Sequence, residues 1–148
     1  MRKVLPMTEI APMIEKAFED GKEFDLITAG TSMLPMLRDR KDTVVLRKVD
    51  GKLKKYDLPL YKRADGSFVL HRIVGKGKDG YKMSGDNQLA IEYPVTDGQI
   101  VAVVSAYIKD GKRISVNSIG YKFYCFWHCN AVKPIRRLKQ KLGQAVKR

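Results

Sequence analysis

The sequence predicts a mainly β domain, built of coiled antiparallel sheets or a small barrel, with a short helix before it and a basic helix after it. Two observations carry this prediction. Between residues 24 and 117, short runs rich in Val, Ile, Leu and Tyr alternate with turn signals. Asp-Gly pairs stand at 50–51, 65–66, 79–80, 97–98 and 110–111, between or beside those runs. Asp-Gly suits turns that need positive φ, and repeated short strands joined by such turns make antiparallel sheets.

The elements follow in order. Ile10, Met13, Ile14, Ala17 and Phe18 share one face of a helix, and Glu15, Lys16, Glu19 and Asp20 fall off it. Pro12 fits near a helix start, so the helix is expected to begin at Ala11 or Pro12, and Gly21 to close it. Strands are expected at 24–28, 43–48, 57–62, 68–75, 81–84, 99–109 and 113–117. After them come an aromatic cluster of Tyr121, Phe123, Tyr124, Phe126 and Trp127, then Val132, Ile135, Leu138, Leu142 and Val146 at helical spacing with Lys and Arg between. Pro134 fits only in the first turn of that helix, and Gly143 weakens it. The expected organisation is an N-terminal helix in 1–22, a β core in 23–118 and an aromatic, basic tail in 119–148.

Composition sets bounds. The 148 residues are 44% hydrophobic and 30% charged, enough to bury a core and too apolar for a disordered chain. No apolar run approaches the ~18–20 residues of a membrane span, and 1–6 is too short and charged for a secretory signal. Two cysteines make no disulfide framework, and no internal repeat is visible. The formal net charge is +13, of which +10 falls in 111–148, so the body is nearly balanced and the tail is strongly basic. Such a tail implies a polyanionic neighbour.

Three motifs carry chemistry. In Gly30-Thr31-Ser32-Met33-Leu34-Pro35-Met36-Leu37 a serine follows a glycine-led turn, where a fixed backbone can expose its hydroxyl and nearby N–H groups can receive an oxyanion. Taken alone, it reads better as an ordinary turn, with Ser or Thr capping a helix from Met33 to Arg38. His71, one of two histidines, lies in the apolar run Val69-Leu70-His71-Arg72-Ile73-Val74, either as a general base or as a core histidine satisfied by a carbonyl. In Ser84-Gly85-Asp86-Asn87, Asp86 either orients an imidazole or closes an Asx-turn. Cys125 and Cys129 flank Trp127 and His128, which falls short of a four-ligand zinc site. They read as small apolar residues, and no metal or cofactor is expected.

In this order the motifs resemble the superfamily of signal peptidase I and the self-cleaving repressor-type serine proteases. Gly30, Ser32, Met33, Pro35 and Leu37 match its first box, Gly-x-Ser-Met-x-Pro-x-Leu. Leu70-His71-Arg72-Ile73 matches the histidine box of the endoplasmic-reticulum and archaeal branch, where other branches place a lysine. Gly85, Asp86 and Asn87 match the last box. The stretches 41–46 and 55–60 look like degenerate copies of the strand pair between, and the resemblance runs from about 23 to 104.

The resemblance implies a serine endopeptidase of coiled antiparallel β-sheets that removes a leader or signal segment from a peptide or protein precursor. Ser32 would be the nucleophile, His71 the general base and Asp86 the acid that orients it, with Glu92 held in reserve. The Ser32 N–H would serve the oxyanion, Gly30, Thr31, Met33 and Pro35 would border the substrate, and the substrate would bind extended along a strand edge, with small side chains before the cut. Residues 1–22 can neither span a membrane nor hold a helix-turn-helix, so a free-standing catalytic core is expected, cytoplasmic or peripheral on the inner face of the membrane. The alternatives are an inactive peptide-binding module of the same fold and a lipid- or nucleic-acid-associated protein acting through its tail. For the tail, an anionic membrane surface and simple packing on its own domain weigh evenly; nucleic acid is weaker, for want of a reading motif. Oligomeric state is left open.

Overall fold

The computed structural model describes residues 6–146, and the side chains of 145 and 146 are not among those described. The ends of the predicted N-terminal segment and tail, 1–5 and 147–148, and the side chain of Val146 in the predicted stripe lie outside the described residues.

The chain is mainly antiparallel β. Helix α1 (Met7–Glu19) precedes strands β1 (Phe24–Ile27), β2 (Thr43–Arg47), β3 (Pro59–Lys62), β4 (Phe68–Leu70), β5 (Arg72–Lys76), β6 (Tyr81–Ser84), β7 (Glu92–Val95), β8 (Ile100–Lys109) and β9 (Lys112–Ser115). A continuous helical stretch follows: α2 (Ile119–Trp127), a π-helical segment (His128–Val132) and α3 (Lys133–Val146). One six-stranded sheet runs in the order β1-β2-β8-β3-β4, with β9 also paired to β8. The second sheet is β5-β6-β7.

Strand alternation builds two apolar cores back to back. On β8, Ala102 and Val104 face one core and Val103 the other; on β3, Leu60 and Tyr61 divide in the same way. Successive strand side chains point to opposite faces, so one sheet serves both cores. The first core receives Ile14 of α1, Met33, Met36 and Leu37 of the serine motif, and Tyr121 and Cys125 of α2. Burying a side chain the size of Ile14 contributes about 1.5–3 kcal/mol, which fastens α1 to the sheet. The second core packs the small sheet, through Ile73, Tyr81, Met83 and Val95, against Tyr61 and Val103.

Several expectations are corrected. Helix α1 begins at Met7, after Pro6, so Pro12 lies inside it. Its interior costs are offset by the apolar residues Met7, Ile10 and Ile14, which pack on the first core. The run 68–75 is two strands rather than one: it leaves the large sheet after Leu70 and enters the small one at Arg72, and His71 is the residue between. Strand β7 was not predicted. It holds Pro94, which an edge strand tolerates because one side of it needs no ladder donor. Of the Asp-Gly pairs, 65–66, 79–80 and 110–111 join consecutive paired strands, whereas 97–98 sits in a short 3-10 turn. Asp110 and Gly111 both have positive φ, the conformation a two-residue hairpin demands.

Candidate active site

The serine motif forms an irregular turn rather than a helix. Its apolar residues anchor it: Met33, Met36 and Leu37 are buried, while Thr31 and Pro35 stay exposed. Gly30 turns the chain at φ 91°, and its N–H donates to the Asp39 carboxylate at 2.7 Å. Beyond the turn, the Arg38 guanidinium grips Asp42 through two contacts of 2.7 and 3.0 Å.

The Gly85-Asp86-Asn87 turn clamps the serine from the other side. The Asn87 N–H donates to the Ser32 carbonyl at 2.8 Å, and the Asn87 side-chain amide donates to the Thr31 carbonyl at 3.1 Å. Gly85 is needed for space. A Cβ there would stand 2.5 Å from the Ser32 carbonyl oxygen, 3.1 Å from the Gln88 amide oxygen and 3.2 Å from His71 Cδ2. Three motifs far apart in sequence thus meet within van der Waals contact at Gly85.

Ser32 and His71 line one cleft of about 820 Å³. Its walls are the outer strand β1 with residues 28–30, the opposite outer strand β4, and the Met7, Ile10 and Met13 side of α1. Gly30 and Met33 also line it; Thr31 and Pro35, which the resemblance set beside the substrate, do not.

His71 is 4% exposed. Burial, and then the nearby Arg63 cation, lower its pKa from 6.5 to about 4, against the opposing pull of Glu92. Its ring is neutral at neutral pH. The ring's hydrogen bond is to the Tyr61 hydroxyl, at a long 3.4 Å to Nδ1, and not to Ser32. Burial, and then the nearby Glu92 carboxylate, push the Tyr61 phenol well above its usual range. Glu92 in turn receives Arg63 Nε at 2.8 Å. In the tautomer that suits a general base, His71 Nδ1–H donates to the phenol oxygen. That tautomer leaves His71 Nε2 unprotonated, on the ring edge that reaches Gly85.

Asp86 stands apart from this relay. It is fully buried, and both its oxygens are engaged by Arg72, Nε to Oδ1 at 2.8 Å and Nη2 to Oδ2 at 2.9 Å. The Tyr124 hydroxyl also donates to Oδ2 at 2.9 Å. Burial opposes its charge, but Arg72 more than offsets that and holds the carboxyl below its usual range. The resemblance gave Asp86 to the imidazole; here it is the counter-ion of the arginine that follows the histidine. Tyr124, His128 and Lys133, all read as tail, complete this support. His128 Nε2–H donates to the Asp86 carbonyl, and Lys133 Nζ donates to Ser84 Oγ at 2.7 Å and the Gly85 carbonyl at 2.8 Å. The Lys133–Ser84 contact is a serine–lysine pair in form only, since both residues are buried away from the cleft.

Among the described residues no three His, Cys, Asp or Glu side chains converge as metal ligands. No family model, curated protein or solved structure matches this chain.

Proposed function

We propose that the chain is a serine endopeptidase of the signal-peptidase type that cuts a leader or signal segment from an extended precursor. The observation that carries this is the shared cleft: Ser32 and His71 both line a channel bounded by two outer strands with unpaired edges. An extended peptide can add to such an edge through main-chain hydrogen bonds, with pockets taking alternate side chains. Phe24, Leu26, Phe68 and Leu70 border the channel, so apolar substrate side chains fit it.

The chemistry follows from the proton order. Ser32 Oγ attacks the scissile carbonyl while His71 Nε2 takes its proton, and the Ser32 N–H stabilises the oxyanion. His71 then gives that proton to the leaving amine. Water attacks the acyl-enzyme by the same route in reverse, freeing the acid and Ser32. The Tyr61 hydroxyl holds Nδ1–H and the ring in place, the task Asp86 was expected to perform.

The test is cleavage of a library of extended peptides by the wild-type chain, Ser32→Ala and His71→Ala. Products from the wild type and none from either variant are the expected outcome. Peptide capture by all three, with no products from any, would replace this reading with that of an inactive binding module.

The pH profile gives a second test, because kcat/KM reports the base of the free enzyme. Only neutral His71 accepts a proton, so activity should rise with pH through an acid limb near 4. Arg63→Gln removes a cation that disfavours the imidazolium and should move the limb up. Glu92→Gln removes the opposing anion and should move it down. A limb near 6.5, indifferent to both changes, would mean that another group titrates.

A further inference from the structure

The helical stretch from α2 to α3 has two unlike faces. Its inner face, with Tyr121, Cys125, His128 and Lys133, is buried on the domain. Its outer face carries a row of large apolar side chains. Ile119, Phe123, Phe126 and Trp127 on α2 and Ile135, Leu138 and Leu142 on α3 are all more than half exposed, Phe123 at 66% and Leu138 and Leu142 at 58%. The Phe123 and Trp127 rings lie nearly parallel, 6.5 Å apart. A π turn adds a residue to the helical repeat, so the eight-residue step from Trp127 to Ile135 closes on two turns and keeps the stripe in line. Exposed stripes of this kind on a folded domain mark an interaction surface.

The charge beside the stripe names its partner. Residues 119–146 carry Lys122, Lys133, Arg136, Arg137, Lys139 and Lys141 and no acidic residue. All but Lys133 are exposed. A second copy of this chain would bring cations against cations, and the net charge of +13 opposes that pairing further. An apolar stripe bordered by cations and carrying Trp and Phe fits the headgroup boundary of an anionic bilayer, where the rings and aliphatic side chains insert and the cations meet lipid phosphates. No helix among the described residues is long and apolar enough to cross a membrane. We infer that the outer face of α2 and α3 docks the protein in the plane of an anionic membrane surface.

Docking would sit beside the site. The same stretch holds the 84–87 turn through His128 and Lys133, and Arg136 and Arg137 reach Asn87 Oδ1 at 3.4 Å and the Leu89 carbonyl at 3.2 Å.

The single tryptophan, Trp127, lies in the stripe and is a built-in probe. With the full chain, vesicles of phosphatidylcholine and phosphatidylglycerol should pellet the protein and shift Trp127 emission to the blue. Vesicles of phosphatidylcholine alone should bind roughly a hundredfold more weakly. Leu138→Gln with Leu142→Gln, which leaves the charge unchanged, should lose roughly a hundredfold in binding to the mixed vesicles and keep the wild-type Tm, since both side chains face solvent. Equal binding by wild type and double variant would overturn the inference, because a mere polycation would behave so. Duplex DNA bound as tightly as the mixed vesicles, with the same Trp127 shift, would overturn it in favour of nucleic acid. A dimer in solution that the double variant splits would overturn it in favour of self-association.

Discussion

Asp86→Asn should cost stability before it costs chemistry. Arg72 and Asp86 are each fully buried and bonded through two contacts below 3 Å. Breaking a buried pair by neutralising one partner costs about 3–5 kcal/mol, because the remaining charge is left without compensation. The unfolding free energy from a urea titration of Asp86→Asn should fall by that amount, seen as a lower midpoint at an unchanged slope. Arg72 would keep the Tyr56 carbonyl and the Tyr121 hydroxyl, at 3.0 and 2.8 Å, but both are neutral. The linkage has a sign. Arg72 holds the folded-state carboxyl below its usual value, so the pair's contribution is present above the unfolded carboxylate range and lost as pH falls through the folded one. Glu92→Gln is the opposite case. Its pair with Arg63 is partly exposed, so the unfolding free energy should stay within about 0.5 kcal/mol of wild type while kcat/KM falls. A stable Asp86→Asn whose folded fraction has lost activity would return the orienting role to Asp86.

What the sequence made legible was what is local. Strand alternation with Asp-Gly turns predicted the β class, and the turn at 110–111 has the two positive φ values that its residues favour. Ser32 and His71 stood out only through the resemblance of their motifs taken together, since each alone reads as a turn or a core histidine; the structure brings both to one cleft. The partner of His71 was not legible. Tyr61 looks like any apolar strand residue, and Glu92 stood only in reserve behind Asp86; the packing of the small sheet on β3 brings Tyr61 to His71, with Glu92 nearby. Asp86 was misjudged for a related reason. Spacing places it near His71 but cannot say which neighbour it faces, and Arg72, one residue on, takes both its oxygens. The tail was legible as an amphipathic helix. Its inner face was not, because Tyr124, His128 and Lys133 find their partners in a loop some forty residues earlier by the numbering, and helical periodicity records only the helix's own faces.

Gly85→Ala should nearly abolish activity while leaving most of the fold intact. Gly85 does not owe its identity to φ, since it is not among the positive-φ glycines. It owes it to space: a Cβ would press within 2.5 Å of the Ser32 carbonyl oxygen, a backbone atom. That atom cannot retreat freely, because the Asn87 N–H holds it at 2.8 Å and the buried Met33 fixes the next residue. His71 Cδ2, at 3.2 Å, blocks the other direction. Relief must therefore move the serine turn or the imidazole by something near an ångström, and a displacement of that size between reacting groups costs about 10² in rate. Gly98→Ala is the matched comparison. Its Cβ would meet nothing closer than 4.0 Å, so activity and Tm should both stay at wild type. If Gly85→Ala instead keeps its Tm and its full kcat/KM, then Ser32 and His71 do not need the spacing found here, and the cleft between the two outer strands is not where the bond is cut.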